Sequence, residues 1–225
     1  MKKIALLLVI SLLLFGGLAI SAEETIEVTN SNFYKSESAS SDNEIYELVG
    51  EVVNNSDKNL SFKITVTWFS STGEVVDTSS DRFGSHAGVI RPKERIPFAA
   101  SIRGKELNIS DFKIHIQEDE AYTSGPRKLE VTQSSSSIVE DPIYSEGNVF
   151  KVTGMVKNVT EETVKVYAIV GFYNEKEQVI SVKVAQGATY KELEPGESIG
   201  FKASTRWKVD DIQDYKVLAG EFGGI

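Results

Sequence analysis

From Leu60 the chain alternates strictly. Leu60, Phe62, Ile64, Val66 and Trp68 fall on one side, and Ser61, Lys63, Thr65 and Thr67 on the other. Successive side chains of an extended chain point to opposite faces, so one apolar row at period two predicts a half-buried antiparallel strand. Ile96, Phe98, Ala100 and Ile102 make a second apolar row, and Phe112, Ile114 and Ile116 a third. Three matching rows return later, at Val164 to Phe172, Ile199 to Thr205 and Tyr215 to Ala219. Turn-forming stretches lie between the rows: NNSDKN, SSTGE and EPGE. Pro195-Gly196 suits the central pair of a type II turn, where glycine takes the positive φ. No helix-length amphipathic pattern appears beyond the N-terminal segment, so the pattern predicts two packed antiparallel sheets for each set of rows.

The two sets are copies of one another. The segment from Tyr46 aligns with that from Phe150 at an offset of 104 residues, placing Gly50 on Gly154, Val52 on Val156, Asn54 on Asn158 and Trp68-Phe69 on Phe172-Tyr173. At an offset of 103, Pro92 meets Pro195, Phe98 meets Phe201 and Ala100 meets Ala203. A tandem duplication follows, with copies over residues 25–116 and 128–221, joined by a polar linker over 117–127 that holds the strand-breaking pair Gly125-Pro126. Each copy has the size at which an immunoglobulin-like sandwich closes.

An aromatic residue, a glycine four positions on, V-x-N, an aromatic pair and a P-G-E turn together resemble the FxLYD domain. Phe150, Gly154, Val156, Asn158, Phe172, Tyr173 and Pro195-Gly196-Glu197 carry the likeness in the second copy; Tyr46, Gly50, Val52, Asn54, Trp68 and Phe69 carry it in the first. The first copy departs from the pattern at Lys93, where the turn glycine is missing, and Ser70 and Asn174 stand where the family has aspartate. The resemblance implies an immunoglobulin-like β-sandwich in an extracytoplasmic accessory protein and brings no catalytic residues with it. The aligned glycines and asparagines read as framework, marking a close backbone approach and a bonded turn.

The N-terminus supplies the compartment. Lys2 and Lys3 precede an apolar run from Ile4 to Ile20 and an Ala19-x-Ser21 pattern, which reads as a signal peptide, or an uncleaved anchor, over residues 1–22. The chain has no cysteine, which excludes lipidation at a leader cysteine, thiolate metal sites and disulfide support. Its formal charge is −9; without Lys2 and Lys3 it is −11, with 22 basic against 33 acidic residues. Nucleic acid and anionic lipid both call for a basic patch, so neither is an expected partner, and the membrane is touched only through an uncleaved N-terminus.

Candidate chemistry is sparse. Of two histidines, His115 points outward from its strand, and His86 sits in a loop beside Ser85. Asp210, Asp211 and Asp214 form an acidic group without the spacing of a calcium loop. No cofactor is expected. Tyr167 and Ile169 occupy an outward row where the first copy has Lys63 and Thr65, which marks them as an interface with the other copy, a partner protein or a glycan. Asn54, Asn59, Asn108 and Asn158 each open an N-x-Ser/Thr triplet, the acceptor pattern for N-glycosylation. The expected function is a non-catalytic binding or structural module of the cell envelope. The alternative is an exported hydrolase or calcium-dependent binding protein using loop residues of one copy.

Overall fold

The computed structural model describes residues 25–37, 43–81, 89–120, 127–140 and 147–221. The leader over 1–22, His86 and the Gly125-Pro126 pair lie outside them. The described chain is all-β, with a single 3-10 turn at Val209–Asp211. None of its helices is long and apolar enough to cross a membrane.

The first half contributes β1 (Ile26–Glu37), β2 (Glu44–Asn54), β3 (Leu60–Ser70), β4 (Val75–Ser80), β5 (Arg95–Gly104) and β6 (Ile109–Glu120). They form two antiparallel three-stranded sheets in the orders β1-β2-β5 and β4-β3-β6. In the second half, β7 (Leu129–Glu140), β8 (Asn148–Asn158) and β12 (Ser198–Thr205) make one sheet, β7-β8-β12. The other has β9 (Val164–Tyr173) between β10 (Val179–Val184) and β13 (Asp214–Glu221), with β11 (Glu192–Leu193) beside the start of β9. The pairing scheme of the first half therefore recurs in the second.

The alternating rows make the cores. Leu60, Phe62, Ile64, Val66 and Trp68 pack with Ile96, Phe98 and Ala100 between the first pair of sheets. Val164, Val166, Ala168, Val170 and Phe172 pack with Phe201 and Ala203 between the second pair. The glycines of the repeat are steric requirements: Gly50 stands opposite Phe98, and Gly154 opposite Phe201. A Cβ on Gly154 would lie 2.2 Å from the Gln133 carbonyl oxygen and 2.6 Å from the Phe201 ring. Bulges in β1 (Thr29/Asn32) and β7 (Val131/Gln133) bring the neighbouring backbone in beside these glycines.

Two differences from the sequence reading stand out. The linker expected from residue 117 starts later, because β6 continues through Gln117–Glu120 in register with Leu60–Lys63 of β3. An edge strand accepts such charged residues, since one side of it faces water. In addition, β2, β5 and β9 are buried on both faces: Val49 and Ala99 are as enclosed as Leu48 and Phe98. The outer face of β1-β2-β5 is covered by the outer face of β10-β9-β13, and the two halves are stacked.

Candidate functional site

The joint between the halves brings apolar, aromatic and ionisable side chains together out of water. Val49 and Ala99 of the first half cluster with Tyr173, Val179 and Val182 of the second, and Tyr34 packs against them. Gly171 allows the approach: a Cβ there would meet the Tyr173 hydroxyl at 2.9 Å and Pro97 Cβ at 3.2 Å. Asn32 Nδ2 donates to the Val179 carbonyl at 2.6 Å, and Tyr34 stacks on Trp207 with ring centroids 4.5 Å apart.

At the centre lies Glu51, a carboxylate 1% exposed on the covered face of β2. Tyr173 Oη donates to its Oε1 at 2.8 Å. Arg95 Nη1 lies 3.2 Å from Oε2, Asn30 Nδ2 donates to Oε2 at 3.4 Å, and Lys216 Nζ lies 3.8 Å from Oε1. Lys216 also sits over the Tyr173 ring, 4.3 Å from its centroid. A buried carboxylate must be paired and hydrogen-bonded to be tolerated, and here both halves supply the partners. Burial and the neighbouring carboxylate push the Tyr173 phenol well above its usual range, so it acts as a donor. A second tie lies at the rim, where Arg127 holds Glu94 through Nε at 2.8 Å and Nη2 at 2.5 Å while Nη1 donates to the Ala219 carbonyl at 3.4 Å.

Tyr167 and Ile169 both lie in this joint. Tyr167 is 1% exposed and Ile169 fully enclosed, and with Val184 and Leu218 they join the core cluster of the first half. Burial, with Tyr190 and Asp81 nearby, raises the Tyr167 phenol above its usual range.

Asn54 and Asn158 are fully buried clasps of identical design. Asn54 Nδ2 donates to the carbonyls of Lys58 and Ile90 at 2.7 and 3.0 Å, and its Oδ1 accepts from the Ser56 amide and hydroxyl. Asn158 repeats this with Glu162, Leu193 and Thr160. Both amide hydrogens of each are taken inside the fold, so neither nitrogen is open to a glycan in the folded chain. Asn59 is half-buried, and Asn108 is exposed with a left-handed φ of 50°.

Asp210, Asp211 and Asp214 are all exposed, and among the described residues no three acidic or histidine side chains come together as a metal would need. Asp214 caps its own strand, accepting from the Tyr215 amide at 2.8 Å. His115 is exposed on β6.

Sequence reasoning passed over Glu51 and Arg127. Glu51 had one readable sign, an acid in an otherwise apolar stretch, Leu48 to Val53, where its counterpart in the second half is Met155. Arg127 carried none, because its partners are distant in sequence.

No family model matches the chain, and no curated protein matches it. Among solved structures, red sea bream transglutaminase is similar over 87% of this chain, at 9% identity and a TM-score of 0.20; the match spans 31% of that enzyme's chain.

Proposed function

We propose that this chain is an exported, non-catalytic accessory protein of the cell envelope. In this reading two FxLYD-like modules arose by tandem duplication and are locked into a single rigid body that presents its outer faces and edges to a protein or glycan. One observation carries it. The six polar residues that the described fold buries whole, Glu51, Asn54, Asp81, Asn158, Ser181 and Thr205, are all bonded into the framework, and Thr29 Oγ1 and Trp207 Nε1 are buried atoms without a hydrogen bond. An active site instead gathers polar groups around a concavity and leaves them poised for a substrate.

Fractionation with protease treatment of intact cells tests the reading. The full chain should be found outside the cytoplasm, and deletion of residues 2–20 should abolish export. Cytoplasmic residence of the full chain overturns it. So does a hydrolytic activity lost on His86→Ala, or a calcium-induced rise in Tm lost in the triple Asp210→Asn, Asp211→Asn, Asp214→Asn variant.

A further inference from the structure

The two sandwiches differ at one seam. In the second half β7 and β13 lie side by side. Lys128 Nζ pairs with Glu221 at 3.2 Å across that seam, and Tyr215 Oη donates to Ser134 Oγ at 3.2 Å. The related strands of the first half are β1 and β6. There Thr25 takes the place of Lys128, Glu118 that of Glu221 and Phe112 that of Tyr215. Phe112 packs against Phe33, the rings tilted by 44° with centroids 5.4 Å apart, and closes one end. The other end is an open groove of about 630 Å³, within the roughly 300–1,000 Å³ range of binding clefts. Val28, Ile114 and Ile116, all partly buried, form its apolar floor, and Glu27 and Glu118 stand at its rim.

Among the described residues both walls are free strand edges: β1 pairs only with β2, and β6 only with β3. Along such an edge alternate N–H and C=O groups have no ladder partner, which makes it a template for another strand. We infer that the groove takes an extended, basic segment of a partner protein, laid along β6 as an added strand. Main-chain hydrogen bonds supply affinity, and every second side chain of the segment covers the apolar floor. Its cations meet Glu27 and Glu118, as Lys128 meets Glu221 in the closed seam. The acidic balance of the whole chain steers the same class of ligand. Charge selects against an acidic segment, and the need for backbone donors selects against a proline-rich one.

This inference rests on the reading of the chain as a binding module. Its assay is separate: a peptide that does not bind leaves envelope location standing, and cytoplasmic residence leaves the groove's affinity unchanged. The probe is a blocked peptide of alternating lysine and valine, titrated into the full chain by calorimetry. The controls are the same peptide with glutamate for lysine, and one with N-methylated valines. The lysine peptide should bind saturably and both controls should fail. Glu118→Gln should weaken binding about fivefold, the worth of one rim ion pair. Thr25→Lys, which rebuilds the Lys128–Glu221 pair in the first half, should weaken it at least tenfold while raising Tm. Absence of binding, equal binding of the glutamate peptide, or indifference to both substitutions overturns the inference. Self-association of the chain that excludes the peptide also overturns it, by giving the groove to a second copy.

Discussion

Replacing Tyr173 with phenylalanine isolates the bond at the centre of the joint. Tyr173 and Glu51 are each 1% exposed, and the hydroxyl is 2.8 Å from Oε1. A hydrogen bond to a charged group contributes about 1.5–3 kcal/mol. The other cations cannot make up its loss: the Arg95 and Lys216 side chains are 47% and 49% exposed, and their attraction to Glu51 is weakened by water. Tyr173→Phe should therefore cost about 2 kcal/mol. Glu51→Met, which installs the residue found at the related position 155, frees Arg95 and Lys216 towards solvent but strands the Tyr173 hydroxyl without an acceptor, again costing about 2 kcal/mol. In the double variant neither orphan remains, and an apolar replacement of a buried polar pair is close to neutral, within about 1 kcal/mol. The sum of the single losses, about 4 kcal/mol, should thus exceed the double loss by about 3 kcal/mol. Urea unfolding followed by fluorescence, with an unchanged m-value, measures the cycle. Additivity to within about 0.5 kcal/mol would refute the coupling and with it the role of Glu51 as the tie between halves.

Three further outcomes follow from the turns, glycines and buried phenols of the fold. Gly154→Ala should destabilise by about 3 kcal/mol, since a backbone carbonyl and the Phe201 ring must both give way. Gly50→Ala should cost less, about 1–2 kcal/mol, because its nearest neighbour is the Phe98 ring at 2.8 Å; equal losses in urea unfolding would contradict this. Lys93 holds a left-handed φ of 63° where Gly196 has 75°, and both donate to the clasp asparagine's carbonyl, at 2.8 and 3.1 Å. Lys93→Gly should gain about 0.5–1 kcal/mol, the relief of left-handed strain less the added chain entropy, read as a Tm rise of about 2 °C. Tyr34, Tyr167 and Tyr173 are held neutral, chiefly by burial and then by nearby Glu47, Tyr190 and Glu51. Their folded pKa values lie above the unfolded value of about 10, so the stability tied to them is intact below that pH. It falls as pH rises, by up to about 1.4 kcal/mol per unit for each tyrosine, because the unfolded chain ionises first. Of the absorbance of the eight tyrosinates, the share of these three should appear only together with unfolding; ionisation of all three ahead of it would contradict the burial.

The cores were legible because each needs only a period of two. Leu60 to Trp68 and Val164 to Phe172 declare their inner faces residue by residue. Gly50, Gly154, Asn54 and Asn158 were legible as framework because they recur at a fixed offset with the residues they serve. The joint was harder to read. A strand buried on both faces loses its alternation, and Val166 to Tyr173 shows this as a nearly unbroken apolar run. In β2 the polar Glu51 interrupts the equivalent run. The partner of the face around Val49 is set by how the halves stack, and Tyr173 and Lys216 lie more than a hundred residues away. The end of β6 was misread for a related reason: Glu118, Asp119 and Glu120 look like linker, and only their register with β3 makes them strand.

The stacking joint is heterologous: it sets the outer face of one sheet in the first half against a different sheet of the second half. Such a contact does not close on itself, and repeated it would run on as an open fibre. The faces that point away from the joint are polar instead. Lys63, Thr65 and Thr67 stand where Tyr167, Ile169 and Gly171 would invite another module, and Lys151, Thr153 and Lys202 stand where Glu47, Val49 and Ala99 would receive one. Hydrated ends of this kind keep linear repeat arrays finite and soluble. A few lysines and threonines thus give the two outward faces a polar surface where the joint has an apolar one.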